Sequence, residues 1–165
     1  MSSRKERKGE FTVIKTSKNR INMTSRIDAS SRSKNERFWK RILIIDDDAD
    51  ITTTFKMGIE GGNNDTTNRR IKVHTYNNPT AALSEFQANF FDLLLVDINM
   101  PHMNGFQVCE KILELDINVR VCFMSSGEIN REALGEIYPA VSLGCFIKKP
   151  INMDYLIERI KAELD

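Results

Sequence analysis

Five short aliphatic runs, each followed by an amphipathic segment, restrict what this chain can fold into more than any other feature. Arg41–Ile45, Ile71–Tyr76, Asp92–Val96, Arg120–Met124 and Cys145–Lys148 have the length and branched-aliphatic content of strands. Ile42–Ile45 and Leu93–Val96 contain no polar alternation, the pattern of strands buried on both faces. Strands of that kind belong to parallel sheets covered by helices on either side.

The intervening segments carry helix signals. About Ala49–Glu60, apolar residues fall at Ile51, Phe55 and Ile59, and Gly61–Gly62 can end the helix, although Thr52–Thr54 lowers its propensity. A second helix starts with Asn78 as cap and Pro79 at its first position, with Leu83, Phe86 and Phe90 as its apolar face. A third runs from Asn104–Gly105 to about Leu115, directing Phe106, Cys109, Ile112 and Leu113 inward. The fourth, about Asn130–Tyr138, is cut short by Pro139, because proline moves its predecessor out of the helical region. The last, capped by Asn152, aligns Leu156, Ile157, Ile160 and Leu164 on one stripe.

The fold class is therefore α/β: a doubly wound five-stranded parallel sheet, βα repeated five times, of flavodoxin-like type. Right-handed crossovers leave few topologies for such a chain. Ligands bind at the carboxyl ends of strands in open sheets of this kind, so chemistry is to be sought there.

Charge divides the chain in two. Residues 1–41 hold 13 Lys/Arg against 4 Asp/Glu, while residues 42–165 hold 11 against 19. Residues 1–38, rich in Ser, Lys, Arg and Asn without sustained periodicity, are expected to be a disordered basic tail, and residues 39–165 the folded domain. The tail could contact nucleic acid through phosphates, but a solvated or cleaved tail, or a true start at Met23, is favoured over that contact. No helix-turn-helix is recognisable. No apolar run approaches the twenty or so residues of a membrane span. Cys109, Cys122 and Cys145 are odd in number and widely spaced, which argues against a disulfide framework or zinc site and for a reducing, cytoplasmic setting. His74 and His102 also lack ligand-spaced partners.

Directly after the first strand stand Asp46, Asp47 and Asp48, and after the third stands Asp97. Carboxylates at neighbouring strand ends can converge on one hard cation, and oxygen ligands with retained waters suit Mg2+. Without a cation they would raise one another's pKa. An acidic turn capping the first helix explains the triplet as well. Ser125 and Ser126 follow the fourth strand, and Lys149-Pro150 the fifth. A hydroxyl and an ammonium suit phosphoryl oxygens, but serine also serves ordinary turns. It is the coincidence of such groups at four strand ends that points to a phosphoryl site.

These residues resemble the response-regulator receiver family of two-component signal transduction, over about Lys40 to Leu164. The family's acidic pair matches Asp46 and Asp47 in I-L-I-I-D-D-D, and its phosphoacceptor matches Asp97 in D-L-L-L-V-D-I-N-M-P-H-M-N-G. Ser125 corresponds to its conserved hydroxyl, Lys149 to its lysine before proline, and Phe146 to its switch aromatic. The resemblance implies that Mg2+ is held by Asp46, Asp47, Asp97 and the Asn99 backbone carbonyl, and that the Lys149–Pro150 bond is cis. It implies a stand-alone response regulator, a phosphoacceptor and not an enzyme, phosphorylated by a sensor histidine kinase or a histidine phosphotransfer protein. The output would pass to a downstream protein through Ser125 and Phe146. The runner-up is a phosphorylation-gated nucleic-acid-associated protein acting through the tail.

Departures from the family pattern qualify the transfer. Gly127 stands where a longer side chain is common, Tyr138-Pro139 interrupts the fourth helix, Gly61–Arg70 is a long polar connection, and Phe146 lacks a hydroxyl. Haloacid-dehalogenase-like phosphatases also use an aspartyl-phosphate, but Asp97-Ile98-Asn99 supplies no second carboxylate as general acid. No G-x-G-x-x-G or Walker lysine follows a strand. The intact acidic pair, Asp97 and Lys149 argue against a receiver that signals without phosphate.

Overall fold

Sheet order settles which strand ends are neighbours. In the computed structural model, which describes residues 39–61, 70–139 and 144–165, strands and helices alternate. They are β1 (Trp39–Ile45), α1 (Ala49–Gly61), β2 (Arg70–Tyr76), α2 (Pro79–Glu85), β3 (Leu93–Asp97), α3 (Gly105–Leu115), β4 (Arg120–Ser125), α4 (Arg131–Ile137), β5 (Cys145–Lys148) and α5 (Met153–Leu164). All pairings are parallel in the order β2-β1-β3-β4-β5. Chain direction reverses its winding between β1 and β3, the position where such sheets open a crevice. The basic tail and the connection 62–69 lie outside the described residues.

Period-two alternation along the central strands divides the core. Ile42, Ile44, Leu93, Leu95, Cys122, Met124 and Ile147 face α1 and α5, meeting Phe55, Ile59, Leu156, Ile160 and Leu164. Leu43, Ile45, Leu94, Val96 and Phe123 face the other way, against Ala82 of α2 and Val108, Cys109 and Ile112 of α3. β1 and β3 are thereby sealed on both sides, which explains their unbroken aliphatic sequences.

Several boundaries differ from the sequence reading for identifiable reasons. β1 begins at Trp39 because it pairs in register with Arg70 of β2. Asp92 stands just before β3, where its carboxylate accepts from the Arg41 N–H at 2.8 Å and from Lys40 Nζ at 3.0 Å. α2 ends at Glu85, so Phe86 and Phe90 are not on a helix face. Phe86 turns extended, and Phe90 follows Asn89, whose φ is 59°. Both rings still reach the core by packing on Phe91, at centroid distances of 5.6 and 4.9 Å. In α3 Val108 is buried, whereas Phe106 and Leu113 are only half-buried.

Helix starts follow local chemistry closely. Asn78, Asn104, Asn130 and Asn152 each accept backbone N–H groups of the first turn, and Asn104 forms a reciprocal capping box with Gln107. α4 stops at Ile137, just before Tyr138-Pro139.

Candidate functional site

The acidic triplet after β1 divides its labour. Asp48 caps α1: its Oδ1 accepts from the backbone N–H groups of Asp50 and Ile51 at 2.9 and 3.2 Å. Asp47 is exposed. Asp46, only 1% exposed, turns inward. The helix-cap reading therefore holds for one residue of the three.

Asp46, Asp97 and Lys149 come from β1, β3 and the end of β5 and meet at one point. Lys149 Nζ donates to Asp46 Oδ2 at 2.8 Å and to Asp97 Oδ1 at 2.6 Å. The remaining carboxylate oxygens accept backbone N–H groups, Asp48 to Asp46 Oδ1 at 3.1 Å and Asn99 to Asp97 Oδ2 at 2.8 Å. Burial pushes the Asp46 pKa above the usual carboxylate range; Lys149 and the Asp48 N–H oppose the shift, and Asp97 reinforces it. Burial alone would lower the Lys149 pKa, but its two carboxylate partners more than offset this and raise it. Both shifts express one imbalance, in which a single ammonium serves two buried carboxylates with a third acid, Asp47, next in the chain.

That donor set fits a hard divalent cation. Two buried carboxylates share one ammonium at this rim, and Asp47, exposed and next in the chain, adds a third acid beside them. Of the residues expected to hold the cation, Asp46 and Asp97 are brought together there, with Asp47 and Asn99 next to them in the chain.

Ser125 ends β4 beside Lys149, whose backbone N–H donates to the Ser125 carbonyl at 2.7 Å. Its hydroxyl is turned to its own loop: Oγ donates to the Gly127 carbonyl at 3.3 Å and accepts the Gly127 N–H at 3.1 Å. The structure thus places Ser125 at the same rim without a hydrogen bond to the carboxylates. Phe146 is half-buried and stacks on Phe123 at 5.2 Å. Between the Ser125 loop and Phe146 lies a groove of about 360 Å³, also lined by Gly127, Glu128 and Ile129. The Lys149–Pro150 peptide is cis.

Two supporting residues escaped the sequence reading. Asn77, at the end of β2, donates to the Asp46 carbonyl at 2.8 Å and to Thr52 Oγ1 at 2.9 Å, tying the acidic loop to α1. Thr52 is buried and in turn donates to the Ala49 carbonyl at 3.1 Å. Its threonine, unfavourable by propensity, is thus used for hydrogen bonding. Gly105 is the other: a Cβ there would collide with the Asp97 carbonyl oxygen and stand 3.0 Å from Ile98 Cα. Its N–H donates to the Ile98 carbonyl at 3.0 Å, drawing α3 onto the backbone beside Asp97. Position after a strand could have flagged Asn77, but neither role is visible before the strands are assembled.

A parallel sheet in the order 2-1-3-4-5, with two acids and a lysine joined at its carboxyl edge, defines a doubly wound α/β protein of flavodoxin-like type with a charged cluster at its switch point. Residues 42–161 match the response regulator receiver domain model, and the chain belongs to that family. It is similar to the nisin biosynthesis regulatory protein NisR of Lactococcus lactis subsp. lactis, with 26% identity over 75% of this chain and 50% of the relative. It is also similar to the chemotaxis protein CheY of Treponema pallidum, with 39% identity over 44% of this chain and 49% of that protein. Among solved structures, a CheY-like receiver domain protein from Methanospirillum hungatei superposes with a TM-score of 0.61 at 27% identity, covering 77% of this chain and 94% of that one. The chain spans about half the length of the curated relatives it matches. Receiver domains are phosphoacceptor signalling modules of two-component systems. No helix among the described residues is long and apolar enough to cross a membrane.

Proposed function

We propose that this receiver accepts a phosphoryl group on Asp97 from a phosphohistidine of a sensor histidine kinase or a histidine phosphotransfer protein, and that the new charge switches its contacts with another protein. The observation that carries this reading is the Asp46–Lys149–Asp97 cluster, with Lys149 Nζ 2.6 Å from the proposed nucleophile. Mg2+ held by Asp46, Asp47, Asp97 and the Asn99 carbonyl supplies positive charge that offsets the phosphoryl oxygens.

The chain's own groups have distinct tasks in this reading. The Asn99 N–H fixes one Asp97 oxygen, which orients the carboxylate for in-line attack. Lys149 holds the other oxygen and offers its ammonium to the incoming phosphoryl group, a contribution of positioning and electrostatics. Ser125 leaves its paired bonds with Gly127 to donate to a phosphoryl oxygen, and its loop moves with it. The adjoining groove gives Phe146 a volume to turn into, so that the phosphorylated state differs at β5 and α4. Only contacts that differ between the two states shift their balance.

Intact mass after incubation with acetyl phosphate and Mg2+ tests the assignment. Wild type gains one phosphoryl mass, Asp97→Ala gains none, and chelation of Mg2+ abolishes the gain. Full labelling of Asp97→Ala overturns it.

A further inference from the structure

A second chemical cluster lies upstream on β4 and β5, away from the carboxyl edge. Cys122 and Cys145 are register partners, and β5 is the outer strand of the sheet. The two Sγ atoms and a Glu163 carboxylate oxygen lie within 4.8 Å of one another. Arg159 Nη2 bridges them, donating to Cys145 Sγ at 2.8 Å and to Glu163 Oε1 at 2.7 Å.

The guanidinium decides what the cluster can do. It places positive charge against the Cys145 sulfur, where a soft metal ion bound by the same atoms would have to displace it, and that charge favours the thiolate form. The neighbouring Cys122 thiol lowers the Cys145 pKa, with Arg159 adding to the shift and burial opposing it. Cys145 in turn, together with burial, raises the Cys122 pKa. Cys109, buried against the opposite sheet face, is pushed up to about 12 by burial. Access follows the same division: Cys145 is half-buried, Cys122 1% exposed. Thiolate fraction and access together govern cysteine reactivity.

We propose that Cys145 and Cys122 form a peroxide-reactive dithiol site, with Cys145 as nucleophile, Arg159 as its positioning cation and Cys122 as the resolving thiol. In the first step the Cys145 thiolate attacks one oxygen of hydrogen peroxide. An S–O bond forms, the O–O bond breaks, and hydroxide leaves and takes a proton from solvent; sulfur is oxidised to sulfenic acid and peroxide reduced to water. In the second step Cys122 Sγ attacks the Cys145 sulfur. The S–S bond forms, the S–O bond breaks, and the departing hydroxide takes the Cys122 proton. Two thiols and one peroxide give one disulfide and two waters. Adjacent strands lie about 4.7–4.9 Å apart, within the roughly 4.4–6.8 Å that disulfides span between Cα atoms. The bond would join β4 to β5 one register position before Phe123 and Phe146. The proposal does not depend on phosphorylation of Asp97.

The test uses the full chain, reduced and then exposed to hydrogen peroxide with and without dimedone, read by intact mass and peptide mapping. Wild type is expected to lose two hydrogens, with the Cys122 and Cys145 peptides linked and Cys109 free. Cys122→Ala should stop at a dimedone-trapped sulfenic acid on Cys145, and Cys145→Ser should give no linked product. In wild type, iodoacetamide labelling of Cys145 should show a pH midpoint below the roughly 8.5 of a free cysteine, and Arg159→Gln should move it upward toward that value. Oxidation that falls on Cys109 at a comparable rate, a stable sulfenic acid on wild-type Cys145, or an unmoved midpoint in Arg159→Gln would overturn the proposal. Wild-type mapping alone decides between linked and unlinked products if a variant fails to fold.

Discussion

Replacing Lys149 with methionine removes the one ammonium that two buried carboxylates share. Asp46 and Asp97 have side chains only 1% and 6% exposed, and both touch Lys149 within 2.8 Å. Leaving buried charge uncompensated costs about 3–5 kcal/mol. The variant can escape part of that cost by binding a proton, and Asp46 is the site prepared for it. Its pKa is already raised by burial and by Asp97, and the variant loses the opposing Lys149 contributions. The sign follows: a carboxyl whose folded pKa is raised binds more protons folded than unfolded, so stability is lost as pH rises from near 3.8 through the folded value. The deficit of Lys149→Met should accordingly be large at pH 7.5 and shrink as the pH is lowered. Mg2+ should act in the same direction at neutral pH, because a cation at a hundred times its Kd adds about 2.7 kcal/mol, and affinity should rise where the ammonium no longer competes. Urea denaturation of wild type and variant in EDTA and in Mg2+, at pH 7.5 and 5.5, measures all three effects. A variant within about 0.5 kcal/mol of wild type in EDTA at pH 7.5, the range of an ordinary surface substitution, would refute the reasoning.

Three further expectations follow from particular contacts. Gly105→Ala places a methyl group against the Asp97 carbonyl and should cost about 1–3 kcal/mol in denaturant while slowing acetyl-phosphate labelling, since the backbone of the proposed nucleophile must shift; an unchanged labelling rate would show that the contact is immaterial. Asn77→Ala leaves the Asp46 carbonyl and Thr52 without their shared donor, an expected loss of about 1–3 kcal/mol in urea, with the Asp48→Ala cap variant nearer 1. His74, edge-on to Phe90 and Phe91, has its pKa lowered by burial and then by Lys56, Lys72 and Arg41, so the unfolded state binds the proton more readily. Stability should fall as pH drops below about 6.5, and His74→Phe should flatten that part of the urea-midpoint profile; an equal fall in both proteins would exclude His74 as its source.

What could be read from the chain alone depended on whether the signal was local. Ile42–Ile45 and Leu93–Val96 announce themselves because burial on both faces removes polar residues from the run. Asparagine caps and Pro79 likewise act within a single turn. Phe86 and Phe90 are ambiguous because apolar spacing records that a ring reaches the core, not whether a helix delivers it; the helix ends where Phe86 turns extended, and Asn89, with positive φ, redirects the chain before Phe90. The site followed the same division. Asp46, Asp97 and Lys149 could be placed from their positions after strands, since sheet topology alone brings those ends together. Which member of Asp46–Asp48 turns inward, where the Ser125 hydroxyl points, and the pairing of Cys122 with Cys145 all depend on backbone path or strand register, which no short window of sequence contains.

The close fit of Gly105 beneath Asp97 makes the surroundings of that carboxylate mechanically unequal. On the α3 side, backbone rests on backbone with no side chain to rearrange, and the central strands are sealed above and below. On the β4–β5 side there is open volume, and the Ser125 hydroxyl bonds within its own loop. Under the proposed phosphorylation, a load introduced at Asp97 meets a wall in one direction and slack in the other, so the route by which news of it would leave is set by where the packing yields.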